Sequence, residues 1–171
     1  MNAVPVTIRA ERGGDEAAIA TVIGRAFADH PHGDQGEARI VAALRAAGAL
    51  AVALVAEAGG TVVAHVAASA VTVGDGTPGW YGLGPVAVLP AHQRQGIGTS
   101  LVAGTLLRLR ALNAAGCVVV GDPAYYGRFG FGPSHGLAYP DVPPEFFMAL
   151  SFSGTWPEGA VAYHAAFTSS A

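Results

Sequence analysis

The pattern of apolar and polar positions predicts alternating strands and helices in the first half of the chain. Short β-prone runs alternate with stretches in which apolar residues recur at helical spacing. Gly59-Gly60 separates two β-prone runs and predicts a tight hairpin turn between them. The predicted elements are a strand over 4–10, a helix from Asp15, a helix over 36–47, and strands over 50–57 and 61–73.

The second half predicts one interrupted strand followed by a strand–helix–strand unit. The strand over 81–89 contains Gly84 and Pro85, and because proline cannot donate a backbone hydrogen bond we expect a bend or bulge there. The other predicted elements are helices over 97–114 and 123–129 and strands over 117–120, 146–152 and 160–167. Hairpins followed by a crossover unit predict one α/β (α+β) domain over 1–171, with a mixed, mostly antiparallel sheet flanked by helices.

Composition and charge argue against several classes of function. The formal net charge is −3 and no stretch gathers basic residues, so nucleic acid binding through phosphate contacts is not expected. The longest apolar run, over 46–58, is shorter than the ~20 residues that a membrane span requires. We also expect no signal peptide, and the single cysteine, Cys117, allows no internal disulfide. These features predict a cytoplasmic protein that binds neither nucleic acid nor membrane.

One segment has the features of an anion-binding site. The strand over 81–89 runs through residues 90–99 into the long helix. Backbone N–H groups at a helix start lack internal acceptors and lie at the positive end of the helix dipole. Gly96 and Gly98 have no Cβ, so a phosphate can approach the backbone closely, and Arg94 can add a charge-assisted contact.

Two common phosphate-binding loops fit this segment poorly. A Walker-type loop requires a lysine, and the chain contains none. In a dinucleotide-binding loop, Gly96 and Gly98 would supply the first two glycines, but Leu101 stands at the position of the third. Asp122 could serve as the acidic residue that such a loop requires further on. A dinucleotide-dependent oxidoreductase therefore stays open as an alternative.

The loop and two other segments resemble a known enzyme family. The run Gln93-Arg94-Gln95-Gly96-Ile97-Gly98 matches the Q/R-x-x-G-x-G/A pyrophosphate loop of the GCN5-related N-acetyltransferase (GNAT) family. Residues 83–90 resemble the central strand of that family, and residues 125–131 resemble its late YxxxGF signature. Residues 121–126 are similar to a bacterial subgroup of predicted acetyltransferases. The resemblance covers about 6–131 and implies a single-domain GNAT-like fold that is splayed at the central strand.

The resemblance implies an acetyl-CoA-dependent N-acetyltransferase in which an amine attacks the thioester directly. It implies that the backbones of Val86, Ala87 and Val88 pair with the pantetheine arm of acetyl-CoA. It also implies that Tyr126 protonates the leaving thiolate. The residues that it implies for the pyrophosphate are Gln93, Arg94, Gln95, Gly96, Ile97, Gly98 and Thr99. A catalytically weak acyl-CoA sensor that uses the same loop is a second alternative.

The acceptor and the base are less well defined by the sequence. Many family members have an asparagine where Asp122 stands, and the glutamate that often serves as base is missing from 81–89. The amine would lose its proton to water or His65, or arrive neutral. The acidic loop over 29–37 would suit a cationic amine, and because its His and acidic spacing fits no known ligand pattern we predict no metal. Family members often form homodimers, so the resemblance makes a homodimer possible here, although the sequence indicates no interface.

Overall fold

The structure, a computed structural model, describes residues 4–30 and 36–168 as a mixed sheet with helices on both faces. The helices are α1 (Glu16–Ala26), α2 (Gly36–Ala46), α3 (Ile97–Ala111) and α4 (Pro123–Tyr126). The strands are β1 (Val6–Ala10), β2 (Leu50–Ala58), β3 (Thr61–Ala70), β4 (Thr72–Val73), β5 (Trp80–Val88), β6 (Gly116–Val120), β7 (Leu137–Ala138), β8 (Phe147–Ser151) and β9 (Gly159–Ala162).

Six of the strands form the main sheet, in the order β1-β2-β3-β5-β6-β8. Its neighbouring strands pair antiparallel except β5 and β6, which are parallel. The other three strands form a small second sheet in the order β4-β9-β7. The main sheet confirms the predicted fold class, whereas the second sheet was not predicted.

Helices cover both faces of the main sheet. On one face Leu101 and Leu109 of α3 pack in a buried cluster with Leu54 of β2. On the other face Ile23 of α1 packs with Val55, the next residue of β2. Because successive residues of a strand point to opposite faces, a strand covered on both sides is apolar throughout. The predicted turn between β2 and β3 is confirmed, with both glycines in the left-handed region.

Two predicted boundaries are wrong because the chain changes direction where the apolar pattern continues. The predicted strand over 61–73 ends its pairing with β5 at Ala70, and Thr72 and Val73 pair with β9 instead. The predicted helix over 97–114 ends at Ala111. Asn113 adopts a φ of +62° in the following turn, and Leu112 is exposed rather than packed inward.

The last predicted strand is also shorter than expected. Strand β9 ends at Ala162, and residues 165–167 form a 3₁₀ turn. His164 stabilises this turn, because its Nδ1 accepts the N–H of Ala166 at 3.0 Å.

The predicted short helix over 123–129 is α4 followed directly by a 3₁₀ turn. Among the described residues no helix is long and apolar enough to cross a bilayer.

The central strand β5 separates from β6 in mid-strand. It pairs with β6 only from Trp80 to Leu83, while β6 continues along β8. A register shift on the β3 side follows, and Gly84 lies within it at a φ of +136°, which side-chain-bearing residues rarely adopt. The bend predicted at Gly84-Pro85 is therefore confirmed. Beyond it, residues 86–88 pair with β3 on one side and with no described strand on the other, and we call them the open edge.

Candidate active site

The open edge presents backbone hydrogen-bonding groups at two of its three residues. Leu89, just beyond it, donates its N–H to the carbonyl of Val63 in β3 at 2.9 Å. Hydrogen-bonded residues alternate along an antiparallel ladder, so Ala87 also bonds to β3. The N–H and C=O groups of Val86 and Val88 therefore point away from β3. Of the three residues expected to pair with pantetheine, Val86 and Val88 have backbone groups free for such pairing, and Ala87 does not.

A side chain already uses one group of the open edge. Gln93 donates from its Nε2 to the carbonyl of Val88 at 3.0 Å. The contact agrees with the direction that the ladder assigns to Val88. It also ties the loop over 93–99 to the end of β5, so that the loop and the open edge form one continuous surface.

The loop ends in a row of unused backbone donors at the start of α3. Gly96 adopts a φ of +82°, and its carbonyl accepts the first helical hydrogen bond from the N–H of Ser100 at 3.0 Å. In the described part of the chain no acceptor meets the N–H groups of Gly96, Ile97, Gly98 and Thr99. These four donors lie at the positive end of the helix dipole, where an anion is stabilised.

A pocket of about 440 Å³ lies over these donors, and we call it the loop pocket. Of the seven predicted loop residues, Gln95 alone is outside its lining, since its Nε2 donates to the carbonyl of Ala91 at 3.4 Å. A Cβ added at Gly98 would lie 3.3 Å from the hydroxyl oxygen of Tyr125, so a larger side chain there would fill the pocket. Arg94 lines it, and no acidic residue in the described part of the chain does, which suits a phosphate.

A second arginine in the loop pocket was not predicted. Arg128 places its guanidinium 4.5 Å from the centre of the Tyr125 ring and donates from Nε to the carbonyl of Tyr125 at 3.0 Å. The Tyr125 hydroxyl lies 3.3 Å from Thr99 Oγ1, which joins α4 to the loop. The three-residue spacing of Tyr125 and Arg128 within a predicted short helix is the signal that could have revealed this pairing.

At the other end of the open edge lies a larger cleft of about 600 Å³, which we call the β5 cleft. Its floor is the bulged part of β5, residues 83–86. Its walls come from the turn after α1, from α2, from the end of β6 and α4, and from the C-terminal part of the chain. The aromatic rings that line it belong to Phe27, Tyr126, Tyr139, Tyr163 and Phe167. Its charged or ionisable polar residues are His30, Glu37 and Asp122.

Tyr126 lies in the β5 cleft with its ring fixed and its hydroxyl free. The ring packs edge-on against Tyr125 and Phe131, and Gly121 leaves room for it, because a Cβ there would be 2.5 Å from Tyr126 Cε2. No described residue forms a hydrogen bond with the hydroxyl. Burial, and to a smaller extent the neighbouring Tyr125, raise the pKa of Tyr126 to about 12. The phenol is therefore protonated at neutral pH and available as a donor.

His65 belongs to a partly buried ion network and lines neither the loop pocket nor the β5 cleft. Its side chain is fully buried, and its Nε2 donates to Glu11 Oε1 at 2.8 Å. Arg45 donates to the other oxygen of Glu11 at 2.7 Å. Burial alone would raise the pKa of Glu11, but these two hydrogen bonds outweigh it and lower the pKa to about 2. A substrate does not reach His65, so the geometry does not support it as the base.

Asp122 and Glu37, the two acidic residues that line the β5 cleft, differ in their contacts. Asp122 accepts the N–H of Ala124 at 2.9 Å and caps α4. Glu37, in the first turn of α2, lines the β5 cleft together with His30. The rest of the predicted acidic loop, residues 31–35, lies outside the described residues. Within residues 4–30 and 36–168 no cluster of three or more His, Cys, Asp or Glu side chains could hold a metal ion.

Comparison with known proteins places these features in one family. Residues 7–134 match the acetyltransferase (GNAT) domain family. The N-acetyltransferase YhbS of Escherichia coli K12 is 37% identical over 125 residues, 72% of each chain. A crystal structure of a GNAT family acetyltransferase from Brucella melitensis in complex with acetyl-CoA is 47% identical, with a TM-score of 0.85 over 95% of this chain and 98% of that one.

A second solved structure agrees with the first. Escherichia coli YhbS in complex with CoA is 32% identical, with a TM-score of 0.86 over 99% of this chain and 95% of that chain. These matches confirm the resemblance that residues 93–98 and 125–131 carry. The chain therefore belongs to the GNAT family of acetyltransferases.

Proposed function

We propose that this protein transfers the acetyl group of acetyl-CoA to an amine. The observation that carries this proposal is the arrangement along β5. A pocket with unused N–H donors lies at one end of the open edge, and a cleft with a protonated tyrosine lies at the other. An elongated molecule with phosphates at one end and a reacting group at the other matches this arrangement.

The loop pocket, the open edge and the β5 cleft fit coenzyme A part by part. The four free N–H groups at the start of α3, with Arg94, would hold the pyrophosphate. Val86 and Val88 would pair with the pantetheine amides as a further strand would. The Gln93 amide would release the Val88 carbonyl when pantetheine takes it. Bound in this way, acetyl-CoA supplies a thioester whose carbonyl carbon accepts the amine.

Tyr126 would protonate the sulfur as the carbon–sulfur bond breaks. Its raised pKa keeps the proton on the phenol until a stronger base forms nearby. The burial that disfavours a phenolate also disfavours a thiolate in the same cleft, so the sulfur leaves more readily as a neutral thiol. Tyr126 is thus a catalytic residue in this proposal.

Direct transfer to the amine is supported by what lines the β5 cleft. Its described lining contains no serine, cysteine or threonine that could form a covalent acyl intermediate. Cys117 lies in the core, and burial raises the pKa of its thiol far above the ordinary range. Catalysis would therefore come from positioning the two reactants and from proton transfer.

Thiol release from acetyl-CoA in the presence of a panel of amines tests this proposal. We expect turnover by the wild-type protein and a fall in kcat of about 100-fold in Tyr126→Phe, because the ring stays and the acid is lost. The Kd for acetyl-CoA, measured by calorimetry, should be equal in the two proteins. Tight CoA binding without turnover on any amine would instead favour the acyl-CoA sensor.

The location and assembly of the protein are part of the same proposal. A cytoplasmic location would give access to acetyl-CoA, and the unpaired thiol of Cys117 agrees with a reducing compartment. A homodimer is the expectation that family resemblance gives, and sedimentation equilibrium of the purified protein tests it.

A further inference from the structure

The lining of the β5 cleft points to the class of acceptor. We propose that the acceptor is a small primary amine on an apolar, ring-bearing body without an acidic group, and that Glu37 binds its nitrogen and takes its proton. This inference rests on the proposed acetyltransferase function. It adds the chemical identity of the acceptor and a base that the sequence of β5 lacks.

Glu37 has a carboxylate oxygen with no hydrogen-bond partner among residues 4–30 and 36–168. Its Oε2 is shielded from solvent, and none of these residues donates a hydrogen bond to it. Buried polar atoms are almost always hydrogen-bonded, because an unpaired one loses its interactions with water without compensation. Since the same residue lines the β5 cleft, a rotation of its carboxylate towards the cleft would let this oxygen accept an N–H from a bound ligand.

The rest of the cleft suits an apolar, ring-bearing body. Phe27, Tyr139, Tyr163 and Phe167 contribute rings to its lining, and Ile40 and Pro85 contribute aliphatic surface. Its volume of about 600 Å³ lies within the range of sites for small molecules. Aromatic faces pack well against another ring and also attract a cationic nitrogen.

The charges that line the β5 cleft disfavour an acceptor that carries an acidic group. The β5 cleft is lined by Glu37 and Asp122 and by no arginine among the described residues. The loop pocket is lined by Arg94 and Arg128 and by no acidic residue there. A cationic amine is attracted to the first site, whereas a carboxylate or phosphate on the acceptor would be repelled from it.

Tyr126 and Glu37 together account for the protons that move during acetyl transfer. Glu37 first takes one proton from the bound ammonium group and passes it to solvent, which frees the lone pair of the nitrogen. That lone pair forms a bond to the thioester carbonyl carbon, and the carbon–sulfur bond breaks with its electrons remaining on sulfur. Tyr126 gives its proton to the sulfur, and Glu37 takes the surplus proton from the nitrogen. Solvent then returns a proton from Glu37 to the Tyr126 phenolate, so both groups are restored.

Four amines as probes, with two variants, test the proposal by thiol release. We expect kcat/KM for 2-phenylethylamine to exceed that for ethylamine by about 10-fold or more, because the ring is buried. It should exceed that for phenylalanine, which adds a carboxylate, and that for a lysine tripeptide. Glu37→Gln should lower kcat/KM for 2-phenylethylamine by about 100-fold through loss of the base. Glu145→Gln, an exposed carboxylate on a 3₁₀ turn that lines neither the β5 cleft nor the loop pocket, is the matched control and should change nothing.

Calorimetry of the complex with CoA separates binding from turnover. We expect 2-phenylethylamine to bind the wild-type complex and to bind the Glu37→Gln complex about 10-fold more weakly, with the Kd for CoA unchanged. Equal kinetics and binding in the two proteins, or a preference for phenylalanine or the lysine tripeptide, would overturn this inference alone. Failure of the wild-type protein to bind acetyl-CoA would instead overturn the proposed function.

Discussion

Gly121 determines where the ring of Tyr126 can lie. The residue has no Cβ at the point where one would come within 2.5 Å of Tyr126 Cε2, and the ring occupies that space. Sequence alone indicates Tyr126 through the late family signature, but not this contact. Which glycine supports a functional ring depends on three-dimensional packing, and the spacing of five residues between the two positions does not reveal it.

Gly121→Ala should therefore displace the Tyr126 ring and lower kcat by about 10-fold, because a misplaced acid transfers its proton less efficiently. The Kd for acetyl-CoA should not change, since Gly121 lies away from the loop pocket. Steady-state kinetics with calorimetry check both values. Gly127→Ala is the control, because Gly127 has an ordinary helical φ and open space around its Cβ position. Equal kcat in the two variants would contradict the role of Gly121.

At the scale of elements, strands and helices were predictable where local chemistry decides them. The hairpin between β2 and β3 follows from two glycines, and the loop before α3 follows from glycines at a helix start. Where tertiary partners decide, the sequence was insufficient. Thr72 and Val73 continue the β-prone run of β3. The pattern of apolar and polar residues therefore does not show that these two residues pair with β9. Asn113 ends α3 by turning left-handed, although the apolar pattern continues beyond it.

In β5, too, one feature is decided by local residues and another by the neighbouring strand. Gly84-Pro85 predicts the interruption of β5, and the structure has it there. The sequence cannot tell which backbone groups face outward, because that depends on the register with β3. The register assigns Ala87 to β3 and leaves Val86 and Val88 free. Arg128 lines the loop pocket from the 3₁₀ turn after α4, and Glu37 lines the β5 cleft from α2. Both positions depend on packing that spacing in the sequence does not specify.

At the scale of the whole molecule, a partly buried ion network joins the end of β1 to α2 and β3. Glu11 binds both Arg45 and His65, and these hydrogen bonds hold its pKa at about 2, below its ordinary value of 4.5. A carboxylate with a lowered pKa in the folded state stabilises the protein above its ordinary pKa. That contribution is lost as the pH falls from about 5 towards 2.

Glu11→Gln should therefore lower the free energy of unfolding at pH 7 by about 3 kcal/mol. Between about pH 5 and 2 the difference from the wild-type protein should shrink, because the wild-type carboxylate becomes protonated. Urea unfolding across this pH range measures both effects. Glu145→Gln, an exposed residue, should follow the wild-type curve. A constant difference between Glu11→Gln and wild type at all pH values would refute the assigned role.

We propose that coenzyme A binds with its pyrophosphate over the start of α3, and calorimetric titration with acetyl-CoA and NADH tests this most directly. We expect acetyl-CoA to bind and NADH not to bind. Gly98→Trp should weaken acetyl-CoA binding by about 100-fold or more, because the indole fills the loop pocket beside Tyr125. Gly13→Trp, at an exposed position with open space, should bind as the wild type does. Unchanged acetyl-CoA binding in Gly98→Trp, or a preference for NADH, would contradict the claim.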